Sequence, residues 1–283
     1  MTTPTSLVRA TARGRRAEVL TSDQQAFGGP GPASPSGDAG AVALALDDVR
    51  VAFGNTVALD GVSFRCRPGT VHTVLGENGS GKSTLVKLVS GVLAPQRGAV
   101  SIGGQPLAPC TPWGAGKLGV ATVFQEVLVA PTLSVEENVL LGQDRWTRRA
   151  QSRAVRRARV AEVLSEISTH PFDVTGPVGG LELVHQHQVA IARALLTDPA
   201  VLVLDESTAA LDVSERDLLF DAVRRRMAQG TAVIFVSHRL DEVLTLSDEV
   251  SVLSSGRKVA TLGHGDITED RLLHLLNPEH HTP

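Results

Sequence analysis

From about residue 43 the apolar positions come in short blocks whose spacing changes along the chain. Val49, Val51 and Phe53 alternate with polar neighbours, Gly54-Asn55 turns, and Val62, Phe64 and Cys66 alternate again up to Pro68-Gly69. That pattern predicts an antiparallel strand pair. Residues 70–75 predict a further strand. Over 82–92, Leu85, Leu88, Val89 and Val92 recur at helical spacing. Residues 118–124 read as a strand, and 132–169 as helical and rich in arginine. The runs at 200–204 and 232–236 have the continuous apolar character of buried parallel strands. Near the end, 250–253 and 258–262 flank Ser254-Ser-Gly-Arg257, a hairpin signal. No internal repeat is visible. The expected architecture is α/β over 41–283. It has a mainly parallel core sheet, an antiparallel β part at about 43–70 and a helical part at about 126–195.

Residues 1–40 differ. Gly28-Gly-Pro-Gly-Pro-Ala-Ser-Pro-Ser-Gly37 is turn-rich and supports neither strand nor helix, so a disordered extension is expected. Arg13, Arg15 and Arg16 precede it, but the segment 17–23 is too short and polar for a twin-arginine export signal. A contact with lipid headgroups or a partner is the alternative for this cluster.

Composition narrows the possibilities further. At 283 residues and 42% hydrophobic, the chain has enough apolar material for a sizeable core. No apolar run approaches the roughly 18–20 residues of a membrane span. Two cysteines, Cys66 and Cys110, are too few for a disulfide framework and suit a reducing compartment. A net charge of −3, aromatics at 3% and no tyrosine give no reason to expect nucleic-acid binding.

The strongest chemical signal is Gly76-Glu77-Asn78-Gly79-Ser80-Gly81-Lys82-Ser83, followed by Thr84. It fits G-x-x-x-x-G-K-[ST] without a mismatch, between a predicted strand and a predicted helix. Glycines at 76, 79 and 81 let backbone N–H groups curl around phosphates at the positive end of a helix. Lys82 then reaches the β- and γ-phosphates, and the Ser83 hydroxyl suits Mg²⁺. A nucleoside triphosphate is the expected ligand. Further along, Val201-Leu-Val-Leu-Asp205-Glu206 is an apolar strand ending in two acids. The carboxyl ends of parallel strands are where active sites lie. Asp205 suits Mg²⁺ or its water shell, and Glu206 suits activation of the attacking water.

With these motifs in order, the chain resembles the nucleotide-binding subunit of ATP-binding cassette (ABC) transporters over about 43–262, a P-loop NTPase fold with a RecA-like core sheet. The shared features are the phosphate loop, Gln125 in Val123-Phe-Gln-Glu126, Asp205-Glu206, the loop Ala209-Ala-Leu-Asp212, and His238 in Val236-Ser-His238. The resemblance implies that Gln125 touches Mg²⁺ and reports to the membrane domain, that His238 contacts the γ-phosphate, and that Phe53 lies against adenine. It also implies ATP and Mg²⁺ as cofactors and permease subunits in the membrane as partners. A second cassette, an extracytoplasmic solute-binding protein and a peripheral location on the cytoplasmic face of the membrane follow from the same likeness. Residues 75–84, 121–126, 133–142 and 236–243 look most like the ATPases of ribose- and xylose-type sugar importers. Those usually carry two cassettes in one chain, and this sequence carries one.

Soluble ABC proteins acting on ribosomes or DNA fit less well. The first kind has two cassettes in one chain, and the second inserts a long coiled coil between its nucleotide motifs, where no heptads run here. A weakly hydrolysing regulatory cassette is the other alternative. Its basis is Leu181-Glu-Leu-Val-His185, standing where the family has Leu-Ser-Gly-Gly-Gln. Glu182 cannot donate to phosphate as a serine does, and Val184 is branched where bare backbone approaches. Gln186 offers a substitute donor. Two smaller features are the seven arginines over 145–159, suited to solvent or to a membrane partner, and His185-Gln-His187. The latter pair does not share a helix face, so a metal is not expected there.

Overall fold

The alternating segment folds as a hairpin. In the computed structural model, which describes residues 41–143 and 152–276, β1 (Leu44–Phe53) pairs antiparallel with β2 (Thr56–Cys66) through a two-residue turn at Gly54. The sheet is larger than the expected 43–70. Strands β4 (Arg97–Ile102) and β5 (Gln105–Pro106) join it in the order β2-β1-β4-β5. The sequence signal failed there because only Val100 and Ile102 of β4 are buried, too few to display an alternation.

The second sheet has six strands in the order β10-β9-β3-β8-β7-β6. These are β3 (Val71–Gly76), β6 (Val120–Val123), β7 (Val201–Asp205), β8 (Ala232–Val236), β9 (Glu249–Ser254) and β10 (Arg257–Gly263). Only β10 runs antiparallel, as the expected hairpin partner of β9. Every residue of β7 and β8 is buried, which explains their unbroken apolar runs. Burying each Val or Leu there contributes about 1.5–3 kcal/mol over leaving it exposed.

Helix α1 (Lys82–Val89) follows the phosphate loop and is shorter than its apolar spacing suggests. Ser90 caps it and Gly91, at φ 72°, turns the chain away before Val92. Next come α2 (Pro112–Lys117) and α3 (Val135–Leu140). Ser134 and Glu137 close a reciprocal capping box at the start of α3. Then follow α4 (Arg153–Ser165) and α5 (Leu183–Leu195), so the 126–195 stretch is helical in its ordered elements. Helices α6 (Val213–Ala228), α7 (Leu240–Leu246) and α8 (Glu269–Leu276) are the remaining α-helices among the described residues. The expected tail 1–40 and the arginines at 145, 148 and 149 lie outside the described residues.

The parallel register positions the site. Val74 pairs with Val236, Asp205 with Val236, and Leu204 with Val123. The carboxyl ends of β3, β6, β7 and β8 therefore align, and the residues just beyond them meet at one edge.

Candidate active site

Four loops meet at that edge. Gly76 ends β3 and opens the phosphate loop, Gln125 follows β6, Glu206 follows β7, and His238 follows β8. They face a cavity of about 600 Å³. Its lining includes Gly76, Glu77, Asn78, Gly79, Gly81, Lys82, Ser83, Thr84, Gln125, Glu206 and His238. Eleven positions scattered over more than half the sequence thus come together.

Two glycines are required sterically. A Cβ on Gly76 would lie 2.4 Å from the Leu253 carbonyl oxygen and 2.5 Å from Ser80 Oγ. Gly81, the N-cap of α1, has φ 107° and would place a Cβ 2.5 Å from the Ala58 carbonyl oxygen. Only a residue without a side chain fits either place. Lys82 is buried at 6% exposure and donates to the carbonyls of Gly76 (2.8 Å) and Glu77 (2.9 Å), so its ammonium is held across the loop mouth. Burial pulls its pKa below the usual lysine value, opposed by the nearby Glu206 and Asp205 carboxylates.

Glu206 has a strained backbone. Its φ is 47°, left-handed for a residue with a side chain, at a cost of about 1–2 kcal/mol. Its N–H still bonds the Val236 carbonyl (3.0 Å). The strain turns the carboxylate out of the sheet into the cavity. There Oε2 accepts from Gln125 Nε2 (3.0 Å), and Oε1 lies 3.5 Å from His238 Nδ1. Asp205 stays behind, 5% exposed, and does not line the cavity. Burial first, and the neighbouring Glu206 second, push its carboxyl up to about 6. The donors suited to Mg²⁺ are the Ser83 hydroxyl, the Gln125 amide oxygen and the Asp205 carboxylate. All are hard oxygens, and Ser83 is exposed, so the set fits that ion.

Phe53 and Ser80 also fall outside the lining. Ser80 is buried at 4% and packs under Gly76. Phe53 is 52% exposed, so it is not a core aromatic, and it pairs directly with Thr56, which does line the cavity. It therefore stands one cross-strand step from the cavity, at its rim. The wall contributed by Thr56, Val57 and Ala58 was not expected from sequence, because nothing in a β-hairpin's composition says what it will face. A second unforeseen part is Gly256. Its N–H bonds the Ser80 carbonyl (3.1 Å) and its carbonyl accepts from Asp60 N (2.8 Å), bracing the phosphate loop with the tip of the β9–β10 hairpin.

The other candidates lie elsewhere. Glu182 is the N-cap of α5 without a side-chain cap bond, and Leu183 is 65% exposed. Gln186, the suggested substitute donor, turns its amide back onto the Leu181 carbonyl (2.9 Å). His185 stacks on His170 (3.9 Å between centroids), while His187 is buried and its pKa falls accordingly. In the arginine-rich stretch, Arg157 pairs with Glu136 and Arg159 with Asp198.

A family model described as ABC transporter matches residues 59–209, from β2 through the loop after Glu206. This chain belongs to the ABC transporter family. The ribose import ATP-binding protein RbsA 2 of Rhizobium meliloti is 39% identical over 234 residues, covering 82% of this chain and 45% of that protein. The ribose import ATP-binding protein RbsA of Corynebacterium glutamicum is 40% identical over 235 residues, covering 82% and 44%. The chain thus spans less than half the length of these relatives. Among solved structures, the ATP-binding cassette determined as a post-hydrolysis dimer with ADP and Pi has a TM-score of 0.71 and 25% identity, covering 78% of this chain and 98% of that one. A nucleotide-free cassette from an ABC transporter gives 0.69 at 24% identity, covering 83% and 98%, and shows the same fold.

Proposed function

We propose that this chain is the ATP-binding and ATP-hydrolysing subunit of an ABC importer for a sugar of the ribose type. The observation that carries the reading is Glu206. Its strained backbone holds a carboxylate in the phosphate-loop cavity between Gln125 and His238, the arrangement a general base for water needs. ATP enters with its phosphates on the N–H groups of residues 76–84 and adenine toward Phe53 at the rim. Lys82 exchanges its two carbonyl contacts for the β- and γ-phosphates. Glu206 accepts the proton of the attacking water, Gln125 helps orient that water, and His238 donates to a γ-phosphate oxygen. Ser83, Gln125 and Asp205 are the residues that would hold Mg²⁺, and the ion would draw charge from the phosphate oxygens.

The importer assignment rests on the likeness to the ribose import proteins. By the same likeness the chain works with permease subunits, a second cassette and an extracytoplasmic solute-binding protein, at the cytoplasmic face of the membrane. Among the described residues no helix is long and apolar enough to cross a membrane, in keeping with a peripheral subunit. On this reading the cassette runs over 41–283, with its helical part at about 126–195. The test is uptake of labelled ribose in cells carrying the chain with its permease. Uptake that disappears with Lys82→Ala supports the reading. ATP binding that is undiminished in purified Lys82→Ala overturns the site assignment, and uptake of other solutes in place of ribose overturns the substrate.

A further inference from the structure

The loop after Glu206 and the loop carrying His238 are joined through a third group, the carboxylate of Glu242 on α7. Its side chain is fully buried. Oε2 accepts from Thr208 Oγ1 (2.9 Å) and from Ser237 Oγ (2.6 Å), while Oε1 lies 3.3 Å from an Arg239 guanidinium nitrogen. Ser237 Oγ in turn accepts from the Arg239 N–H (3.1 Å). Thr208 is two residues past Glu206, and Ser237 is one residue before His238. Both hydroxyl residues are 2% exposed. A second bridge runs parallel to the first: Arg216 of α6 pairs with Asp241 of α7 (3.0 Å).

Packing alone does not call for a carboxylate in this place. Burying one is costly unless it is paired and hydrogen-bonded, and an apolar side chain of the same volume would fill the space at lower cost. What the carboxylate supplies is a directional side-chain link beyond the strand ends, where the backbone bond from Glu206 N–H to the Val236 carbonyl (3.0 Å) joins the two loops only at their base. Glu206 and His238 must stand at a fixed separation to flank one phosphate. Their own contact is long, at 3.5 Å, and His238 is 58% exposed, so neither fixes the other.

We propose that Glu242 is a positioning residue for ATP hydrolysis, setting the Glu206 and His238 loops relative to each other through Thr208 and Ser237. The proposal rests on the roles given to Glu206 and His238 above. It acts on geometry during chemistry and leaves nucleotide binding to the phosphate loop.

The test uses the full chain. Thr208→Val is isosteric and removes one hydroxyl, Ser237→Ala removes the other, and Thr208→Ser retains the first. Thr208→Val and Ser237→Ala each lower kcat about tenfold, the scale of a sub-ångström misplacement, with KM and nucleotide affinity within about twofold of wild type. Thr208→Ser restores kcat. Hydrogen exchange at residues 206–211 and 236–239 speeds up in Thr208→Val by more than in the rest of the sheet, beyond the fall in melting temperature that losing one bond to a buried carboxylate brings. Wild-type kcat in both hydroxyl-deleted variants overturns the proposal, as does a Thr208→Ser variant no better than Thr208→Val. If the wild type hydrolyses no ATP, the functional reading fails by itself. The exchange data then still decide the coupling: unchanged exchange in both loops overturns it, and faster exchange in both sustains it.

Discussion

Strand β3 has chemistry at both ends, and only one end faces a cavity. At its carboxyl end, Gly76 opens the phosphate loop onto a space of about 600 Å³. Near its amino end, His72 is 1% exposed and stacks on Phe64. Its Nε2 lies 2.8 Å from Ser251 Oγ and its Nδ1 lies 3.3 Å from a Glu249 carboxylate oxygen. A serine, an imidazole and a carboxylate in that order are the parts of an acyl-transfer triad. Yet Ser251 is itself 1% exposed and shares its hydroxyl with Thr261 (3.0 Å), so no substrate reaches it. The difference is one of access and spare valence. At the buried end the side chains meet only one another, and at the open end Lys82 and Glu206 make contacts beside a cavity where a ligand can replace them.

That contrast breaks most clearly at Glu206. Glu206→Gln loses the proton acceptor, so turnover falls by about 10²–10⁴-fold, the usual span of general-base catalysis. ATP affinity and melting temperature stay near wild type, because the amide still meets Gln125 and the strain is unchanged. Steady-state phosphate release beside equilibrium nucleotide binding checks this. Turnover within a fewfold of wild type would remove Glu206 from the role of base.

At the closed end the expectation reverses. His72→Leu leaves the Ser251 hydroxyl with Thr261 alone and removes the imidazole from a Glu249 oxygen, lowering stability by about 1–2 kcal/mol, while turnover per folded molecule holds. Denaturant unfolding and activity on the soluble fraction separate the two effects. His72 also gives the largest cause holding the Glu249 carboxyl below its ordinary value of 4.5, with Arg67 adding to it. A depressed acid stabilises the fold when ionised. This contribution is therefore complete above the unfolded glutamate value and is lost as pH falls below about 4.5 through the folded one. Glu249→Gln should flatten the acid limb of the stability profile there and leave neutral-pH turnover alone. An unchanged acid limb would show that the pair carries no linked stability.

How much of this was legible in the sequence follows the same divide. The phosphate loop reads directly because its glycines answer to local sterics at Gly76 and Gly81, which the spacing already encodes. Strands β7 and β8 read directly because both faces are buried. Strand β4 did not, since half of it faces solvent. The left-handed φ of Glu206 left no trace, because no residue type announces strain. The Glu242 link was equally silent: Thr208, Ser237 and Glu242 are ordinary loop and helix residues until β7 and β8 align them.

Phe53 sharpens the comparison at its boundary. It lies outside the cavity lining, at the rim, with half its surface free. If adenine stacks there, Phe53→Ala raises KM for ATP by about three- to tenfold, in line with roughly 0.5–1.5 kcal/mol for an aromatic contact, and kcat holds. An unchanged KM would make Phe53 no more than an exposed strand end.

The smallest effect is expected at Glu182. It caps α5 with an extended backbone (φ −61°, ψ 156°) yet makes no side-chain cap bond. A serine in that conformation accepts a hydrogen bond from the first turn, so Glu182→Ser should stabilise the protein by about 0.5–1 kcal/mol. Read from sequence, the same glutamate, with Val184, suggests a cassette that hydrolyses slowly as a homodimer, since a carboxylate facing phosphate repels it. The relatives named import ATP-binding proteins favour the motor over such a clamp. An exposed charge contributes little through water, about 1 kcal/mol or less, which is about fivefold in rate. Glu182→Ser/Val184→Gly should therefore raise the turnover of the purified chain by no more than that, with the gain in melting temperature seen in Glu182→Ser alone, because a glycine within α5 costs about 0.5–1 kcal/mol. A rise well beyond tenfold would mean that the loop meets phosphate with water excluded, where the charge acts at full strength, and would reinstate the slow homodimer. A gain in stability with flat turnover would leave Glu182 as a weak helix cap outside the chemistry.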